Sequence, residues 1–444
     1  MTGYTTTEKI LRRNDLDRDD LDGGRAIKAD VLLTHDVCGP GTIGVFKKEF
    51  GKDAKVWDPG KVVIIPDHYI YTCDEKAARN RQVVGDFARE QGIRHLYDEE
   101  GLGYRGVCHV ALPQEGHVIP GEVIFGTDSH TCAHGNLGAF ASGIGNTYAG
   151  YVLGSGHLIM NAIPKTMQFR YDGKLPDWCM GKDLILDLIN RKGTHGADFR
   201  SLEFIGDAIT ELDIEERNTI CNMGVEMGAT NAIIPPDKKA RAYAADRSGL
   251  DYEEIKEKAE GLYSDEDAEF AARETFNASL LEPMVAMPHS PGNGIKARKL
   301  DQKLDRAYIG GCTGGKNIDF LRAAALLCEA DREVVIPLFL VPATTEQVEY
   351  IKNTRYDGIR LEEIFWKAGA NMGSIDEPSC AACLGGPKDT YGRADIQGFN
   401  IISTTNRNFP DRMGKGANVF LASPLTAIAS ALTGKVTDPR RFMI

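Results

Sequence analysis

The sequence predicts an α/β protein of three successive units, and three observations carry that prediction. The length of 444 residues is about three times the ~150 residues of an ordinary domain. Apolar side chains make up 42% of the chain, enough to bury several cores. Short apolar runs that read as strands alternate with runs of helical period from one end to the other.

Taken in order, KVVIIPDHY (61–69) is an apolar run of strand length and DEKAARNRQVVGDFAREQG (74–92) reads as an amphipathic helix. GEVIFGTDSHT (121–131) returns as a strand ending in polar residues. The middle of the chain holds KTMQFRYDG, the helical GKDLILDLINRKG, then FRSLEFIGDAI and the helix DIEERNTICNMGVEMGA. A charged, helix-prone stretch follows near DYEEIKEKAEGLYSDEDAEF. The last third repeats the alternation: DRAYIGG into KNIDFLRAAALLCEA, REVVIPLFLVPAT into TTEQVEYIKNTR, FNIISTT, and NVFLAS into PLTAIASALTG. Prolines 164 and 288 mark the expected boundaries, giving units 1–164, 165–287 and 288–444.

Composition excludes several classes. No run of about 18 apolar residues is present to span a membrane, and MTGYTTTEKILRRNDLDRDD lacks the apolar segment of a signal peptide, so the cytoplasm is the expected location. A net charge of −12 without a lysine- or arginine-rich block argues against nucleic acid as a partner. Anionic small molecules stay open, because a few arginines can reverse the sign inside one cleft. Ten cysteines are too dilute here for a disulfide scaffold, and a reducing compartment keeps them as thiols or metal thiolates.

The cysteines sort by their neighbours. Cys73, Cys179, Cys221 and Cys328 lie in helix-like or unremarkable surroundings and read as buried, inert thiols. SCAACLGGP puts Cys380 and Cys383 at a CxxC spacing shared by zinc knuckles, dithiols and iron–sulfur ligand pairs. Cys312 stands in YIGGCTGGKN, at the end of an apolar strand where glycines allow close backbone approach. A structural zinc wants a fourth ligand, and no histidine follows His289. A redox dithiol leaves Cys312 unexplained. Three thiolates suit a 4Fe–4S cluster with one iron free of protein ligands, able to act as a Lewis acid on a substrate hydroxyl and carboxylate.

Nine blocks, THDVCGPGTIG, PDHYIYT, GVCHV, GTDSHTCAHGNLGAFASGIG, CNMGVEMGAT, MPHSPGN, GGCTGG, SCAACLGG and TTNRNFPDRMG, occur in the order they have in the aconitase superfamily. Over essentially its whole length the sequence resembles that superfamily, most closely its 3-isopropylmalate dehydratase large-subunit branch. The resemblance implies three-layer α/β/α aconitase-type domains, one 4Fe–4S cluster on Cys312, Cys380 and Cys383, and removal and re-addition of water on a hydroxy-polycarboxylate. Homoaconitase and the hydratases of dimethylmaleate and citraconate or methylmalate are the alternatives within the family. A non-catalytic zinc or thiol-redox protein is the alternative outside it.

The residue types suit such chemistry. Expelling hydroxide from carbon needs a proton donor, and Asp67–His68 supplies a histidine beside a carboxylate. The resemblance adds His109 and Glu226 as a charge pair. Asp128, Ser129 and His130 form the polar exit of the GEVIFG strand, where a capping turn is the plain structural role. Arg407 and Arg412 are donors for substrate carboxylates, since a guanidinium stays charged and binds carboxylate in a planar fork. Asn406 lies near the cluster in the family. Asn222, and His35 with Asp36, are carried over as lining the same cleft.

Three places in the chain depart from the family pattern. Gly314 replaces the asparagine that usually follows CT, which removes a side-chain amide near the cluster. Cys38–Gly39 stands where threonine or serine is usual, and Gly386 is also unusual. Dehydration further needs a base, which the family carries on a swivelling domain, whereas TGKVTDPRRFMI follows directly on the last helix here. The resemblance therefore implies a separate small subunit that supplies the base.

Overall fold

A computed structural model describes residues 3–16 and 24–443; residues 1, 2, 17–23 of the polar N-terminal stretch and 444 lie outside that description. The predicted α/β architecture is the observed one, with three main sheets. The first runs in the order His95–Leu96, Val62–Ile64, Val31–Thr34, Val123–Gly126, Phe140–Gly143, all parallel. The second is Asn231–Ile233, Ser201–Ile205, Thr166–Asp172, Ala272–Asn277, also parallel. The third has six strands. Asn418–Ala422, Asn400–Ser403, Arg306–Gly310 and Leu338–Val341 are parallel, and Met284–Ala286 and Gly294–Lys296 form an antiparallel edge.

Alternation along the first sheet assigns its two faces. Leu32, Ile64 and Phe125 pack with Ile43, Phe46, Phe87 and Val152 from the helices Gly39–Phe50, Glu75–Gln91 and Asn146–Ser155. Leu33, Val63 and Ile124 pack the opposite way, on Ala111, Leu112 and Ala240. A parallel sheet covered on both faces needs strands apolar throughout, which is why they read as continuous runs. In the third sheet Ile309, Leu340 and Ile402 meet Phe320, Phe365 and Ile428. Tyr308, Ile401 and Leu421 join Phe204, Leu184 and Ile220 of the second unit in one core.

Several elements are shorter than their apolar runs suggest. KVVIIPDHY is a strand only over Val62–Ile64, and REVVIPLFLVPAT only over Leu338–Val341. DIEERNTICNMGVEMGA is an α-helix over Ile214–Asn222 and a 3-10 turn over Met223–Met227, where Gly224 lies so close to Ala232 that a Cβ would come within 2.6 Å of it. No helix among the described residues is long and apolar enough to cross a membrane.

Both outer sheets reverse their winding at one point. In the first, the chain adds strands on one side of Val31–Thr34 and then returns to its other side with Val123–Gly126. In the third, Arg306–Gly310 is followed by Leu338–Val341 on one side and Asn400–Ser403 on the other. A crevice opens beyond the carboxyl ends of the strands at such a point. The loops there are close-packed. Gly311 takes the left-handed conformation, φ 74°, beside Cys383 Sγ, and a Cβ at Gly314 would lie 2.0 Å from Thr404 Oγ1 and 2.1 Å from its Cβ. Thr404 Oγ1 accepts from the Gly310 amide at 2.9 Å and donates to the Gly310 carbonyl at 3.0 Å, so it has no slack to move aside.

Gly314→Ala therefore overpacks this junction and is expected to cost about 1–3 kcal/mol, read as a lower urea midpoint. Adding Thr404→Gly should recover part of the loss, and strict additivity of the two changes would show that the side chains are not in contact.

Candidate active site

The two crevices form one cavity of about 270 Å³. It is lined by His35, Asp67, His68, His109, Asp128, Ser129, His130, Cys312, Cys380, Cys383, Asn406, Arg407 and Arg412, with Val37, Cys38, Thr127 and Leu384. Thirteen of the fifteen residues singled out from the sequence are thus brought together. Glu226 and Asn222 stand one step behind, held against His130 and Asn406.

Each side chain arrives at a strand exit. His35 follows Val31–Thr34, and Asp67 and His68 lie just beyond Val62–Ile64. The Asp36 carboxylate accepts the amides of Asp67 at 3.2 Å and Tyr69 at 2.7 Å and that of His68 at 3.3 Å, which shapes the turn that presents the pair. His68 Nδ1 donates to Asp67 Oδ1 at 2.6 Å, and the other Asp67 oxygen accepts from the Cys108 amide at 3.0 Å. Burial lowers the His68 pKa, but Asp67 outweighs it and raises it to about 9, so the ring is an imidazolium at neutral pH.

A second network begins at Asp128, which caps the 3-10 helix Ser129–Leu137 by accepting from the His130 amide at 2.8 Å. The same oxygen accepts from His109 Nε2 at 2.9 Å. His130 Nε2 donates to Glu226 Oε1 at 2.8 Å, and Arg407 Nε donates to that oxygen at 2.6 Å. Burial and Arg407 lower the His130 pKa, yet Asp128 and Glu226 prevail and raise it to about 9. The capping turn and the site therefore coincide. The pairing of His109 with Glu226 is corrected: Asp128 lies within reach of His109, and Glu226 is taken by His130 and Arg407.

The three cysteines converge from the loops of the third sheet. Cys312 follows Gly311 at the exit of Arg306–Gly310, while Cys380 caps and Cys383 belongs to the short helix Ala381–Leu384. All three are buried. The neighbouring Cys380 thiol lowers the Cys312 pKa to about 5 against the opposing effect of burial, with His109, His130 and Lys316 adding to the lowering. Three buried sulfurs at one cavity wall, one of them acidified, are a donor set that fits an iron–sulfur cluster. Asn406 Nδ2 donates to Cys312 Sγ at 3.2 Å and to Asn222 Oδ1 at 3.1 Å. An amide therefore reaches the cysteines from Asn406 although Gly314 has none. Cys179 and Cys221 are buried as expected, but Cys73 is exposed and Cys328 half-buried. Cys73 lies in the loop ahead of the helix Glu75–Gln91, outside every core.

Arg407 reaches Glu226 through Nε and Ser129 Oγ through Nη1 at 2.9 Å, and Arg412 Nη1 donates to the Cys383 carbonyl at 2.8 Å. His35 Nε2 and Asn222 Nδ2 have no hydrogen-bond partner among the described residues, although both side chains are buried. Leu384, Val37, Thr127 and Cys38 were not proposed from the sequence as cavity residues. Apolar side chains give no signal of lining a polar site, and Cys38 stood out only as a departure from the family pattern.

The pattern of the Aconitase family (aconitate hydratase) matches residues 8–303 and 294–434. A chloroplastic 3-isopropylmalate dehydratase large subunit of Arabidopsis thaliana is 50% identical over 455 residues, covering 100% of this chain and 87% of that protein. 3-Isopropylmalate dehydratase large subunit 1 of Methanopyrus kandleri is 38% identical, covering 99% of this chain and 100% of the relative. Its counterpart in Pyrococcus furiosus is 39% identical over 450 residues, covering both chains completely. The full-length matches and the family pattern agree, and this chain belongs to the aconitase family.

Proposed function

We propose that this chain is the cluster-holding large subunit of a hydro-lyase that dehydrates and rehydrates a hydroxy-polycarboxylate, interconverting 2- and 3-isopropylmalate. The observation that carries the proposal is the single cavity in which three cysteines, two histidine–carboxylate networks and two arginines meet, in a chain with full-length likeness to 3-isopropylmalate dehydratase large subunits. Cys312, Cys380 and Cys383 would hold a 4Fe–4S cluster, which would supply a Lewis acid to the cavity. None of the ten cysteines is joined to another in a disulfide, as expected of a chain kept in a reducing compartment such as the cytoplasm.

The protein's own groups handle charge and protons. His68, held as an imidazolium by Asp67, donates the proton that lets the substrate hydroxyl leave as water. Arg407 and Arg412 bind substrate carboxylate, and Glu226 and Ser129 fix the Arg407 fork before substrate arrives. Asp128 orients the His109 ring and caps the turn that carries His130, and both histidines line the cavity. His35, which lines the cavity with an unpartnered Nε2, serves a further substrate oxygen, and Asn222 behind the wall holds Asn406, whose amide donates to Cys312. The base that takes the carbon-bound proton comes from a small subunit, as the words "large subunit" in the relatives' names suggest.

Anaerobic reconstitution tests the cluster. Cys312→Ser, Cys380→Ser and Cys383→Ser are each expected to lose bound iron and activity together, while Cys73→Ser and Cys328→Ser keep both. Full iron content in Cys312→Ser removes it from the ligand set, and a colourless chain holding zinc favours the non-catalytic reading. Steady-state kinetics separate the other roles. Arg407→Lys keeps charge but loses the fork, and should weaken substrate binding by about 1.5–3 kcal/mol. His68→Gln should lower kcat more than it raises KM; an unchanged kcat assigns the acid elsewhere. Finally, this chain alone should turn over substrate negligibly and become active when co-expressed with a small subunit. A screen of isopropylmalate, homocitrate, citraconate and dimethylmaleate then reads which substrate is used, and full activity of the isolated chain would place the base within it.

A further inference from the structure

Lys182 has no place in that chemistry, yet it lies at the junction of the loops that perform it. It stands in the first turn of the helix Gly181–Lys192, on the second unit, with its side chain 2% exposed. Its Nζ donates to Thr313 Oγ1 at 3.0 Å, to the Thr404 carbonyl at 2.5 Å and to the Thr405 carbonyl at 2.6 Å. An ammonium has three N–H groups, so these acceptors use all of them. Thr313 immediately follows Cys312, and Thr404 and Thr405 immediately precede Asn406 and Arg407. Thr313 Oγ1 also donates to the Thr404 carbonyl at 2.8 Å, closing a ring between the two loops.

The charge of this lysine is as unusual as its position. Lys316, the other buried lysine here, bonds to the Cys312 carbonyl at 2.8 Å and Thr219 Oγ1 at 2.6 Å, and has the Asp319 carboxylate at 3.6 Å. Lys182 makes bonds only to neutral oxygens. Burial, and then repulsion from Lys316, disfavour its charged form, while Cys312, Asp319 and Cys383 favour it. A buried cation without a counter-ion is costly, so an ammonium kept here calls for anionic neighbours. Two of the three cysteines that would hold the cluster are among the groups that favour it.

We propose that Lys182 is a positioning residue serving both halves of the site: its ammonium locks the loop bearing Cys312 to the loop bearing Asn406 and Arg407, and its charge offsets that of the cluster thiolates. The charge part rests on the cluster assignment made above; the locking part rests on hydrogen bonds alone. A methionine at this position keeps the length and removes both the donors and the charge.

The test uses the full chain of wild type and Lys182→Met. In the cluster-free protein, amide hydrogen exchange over residues 404–408 is expected to be at least about tenfold faster in Lys182→Met. After anaerobic reconstitution, iron loss to a chelator should speed up by a similar factor. The reduction midpoint, followed by electron paramagnetic resonance, should become more negative by the equivalent of a tenfold fall in reduced fraction, about 59 mV for one electron. Wild-type exchange in Lys182→Met overturns the lock, and a wild-type midpoint overturns the charge role, which a purely structural lysine would also leave unmoved. If wild type takes up no iron, the cluster assignment fails while the exchange data still decide the lock. If Lys182→Met does not fold, Thr313→Val removes one acceptor and should speed the same exchange about threefold; unchanged exchange there overturns the proposal.

Discussion

The amide of Cys380 donates to the Asp67 carbonyl at 2.8 Å, and across that bond the cysteine segment beside the third sheet is joined to the Asp–His turn of the first sheet. The Val107 amide repeats the link with the Ala343 carbonyl at 2.7 Å. Each sheet alone offers only an open crevice at its reversal point. Held together by backbone, the two crevices become one cavity, lined by groups as distant in sequence as His68 and Cys383. Side-chain contacts could not set this so firmly, because main-chain bonds leave no rotamer to relax.

Buried charge dictates what the walls contain. Every carboxylate of the two networks has partners: Asp36 three amides, Asp67 a histidine and an amide, Asp128 two histidines, Glu226 a histidine and an arginine. Isolated ions at this depth would neutralise, whereas alternating signs keep His68 and His130 protonated and Asp128 and Glu226 ionised. The same pairing fixes rotamers, so the cavity is shaped before substrate enters. Desolvation thus works for the site, because each partner that suppresses the neutral form also aims the side chain.

The sheets were legible where strands were long and apolar, as at Val123–Gly126 and Arg306–Gly310, and their polar exits pointed to the chemistry. The cysteine triad was legible because thiol spacing and strand-end glycines are local features. Partner choice was not. His109 and Glu226 are 117 positions apart, and no spacing rule says that Asp128 intercepts one and His130 the other. Lys182 was invisible for the same reason. In GKDLILDLINRKG a lysine near a helix start reads as solvated, and only the packing of the second unit on the third buries it. Short strands such as Val31–Thr34 also escaped, being too brief to show a period.

The contact between residues 314 and 404 has a consequence for altering the site by design. On this backbone any side chain at 314 would enter the volume that Thr404 fills, so the residue after Cys312–Thr313 contributes main chain alone. Variation at this wall of the cavity is therefore carried by the loop of Thr404 and Asn406, where Asn406 supplies the amide that contacts Cys312, and a library that randomises 314 without 404 would return mostly glycine.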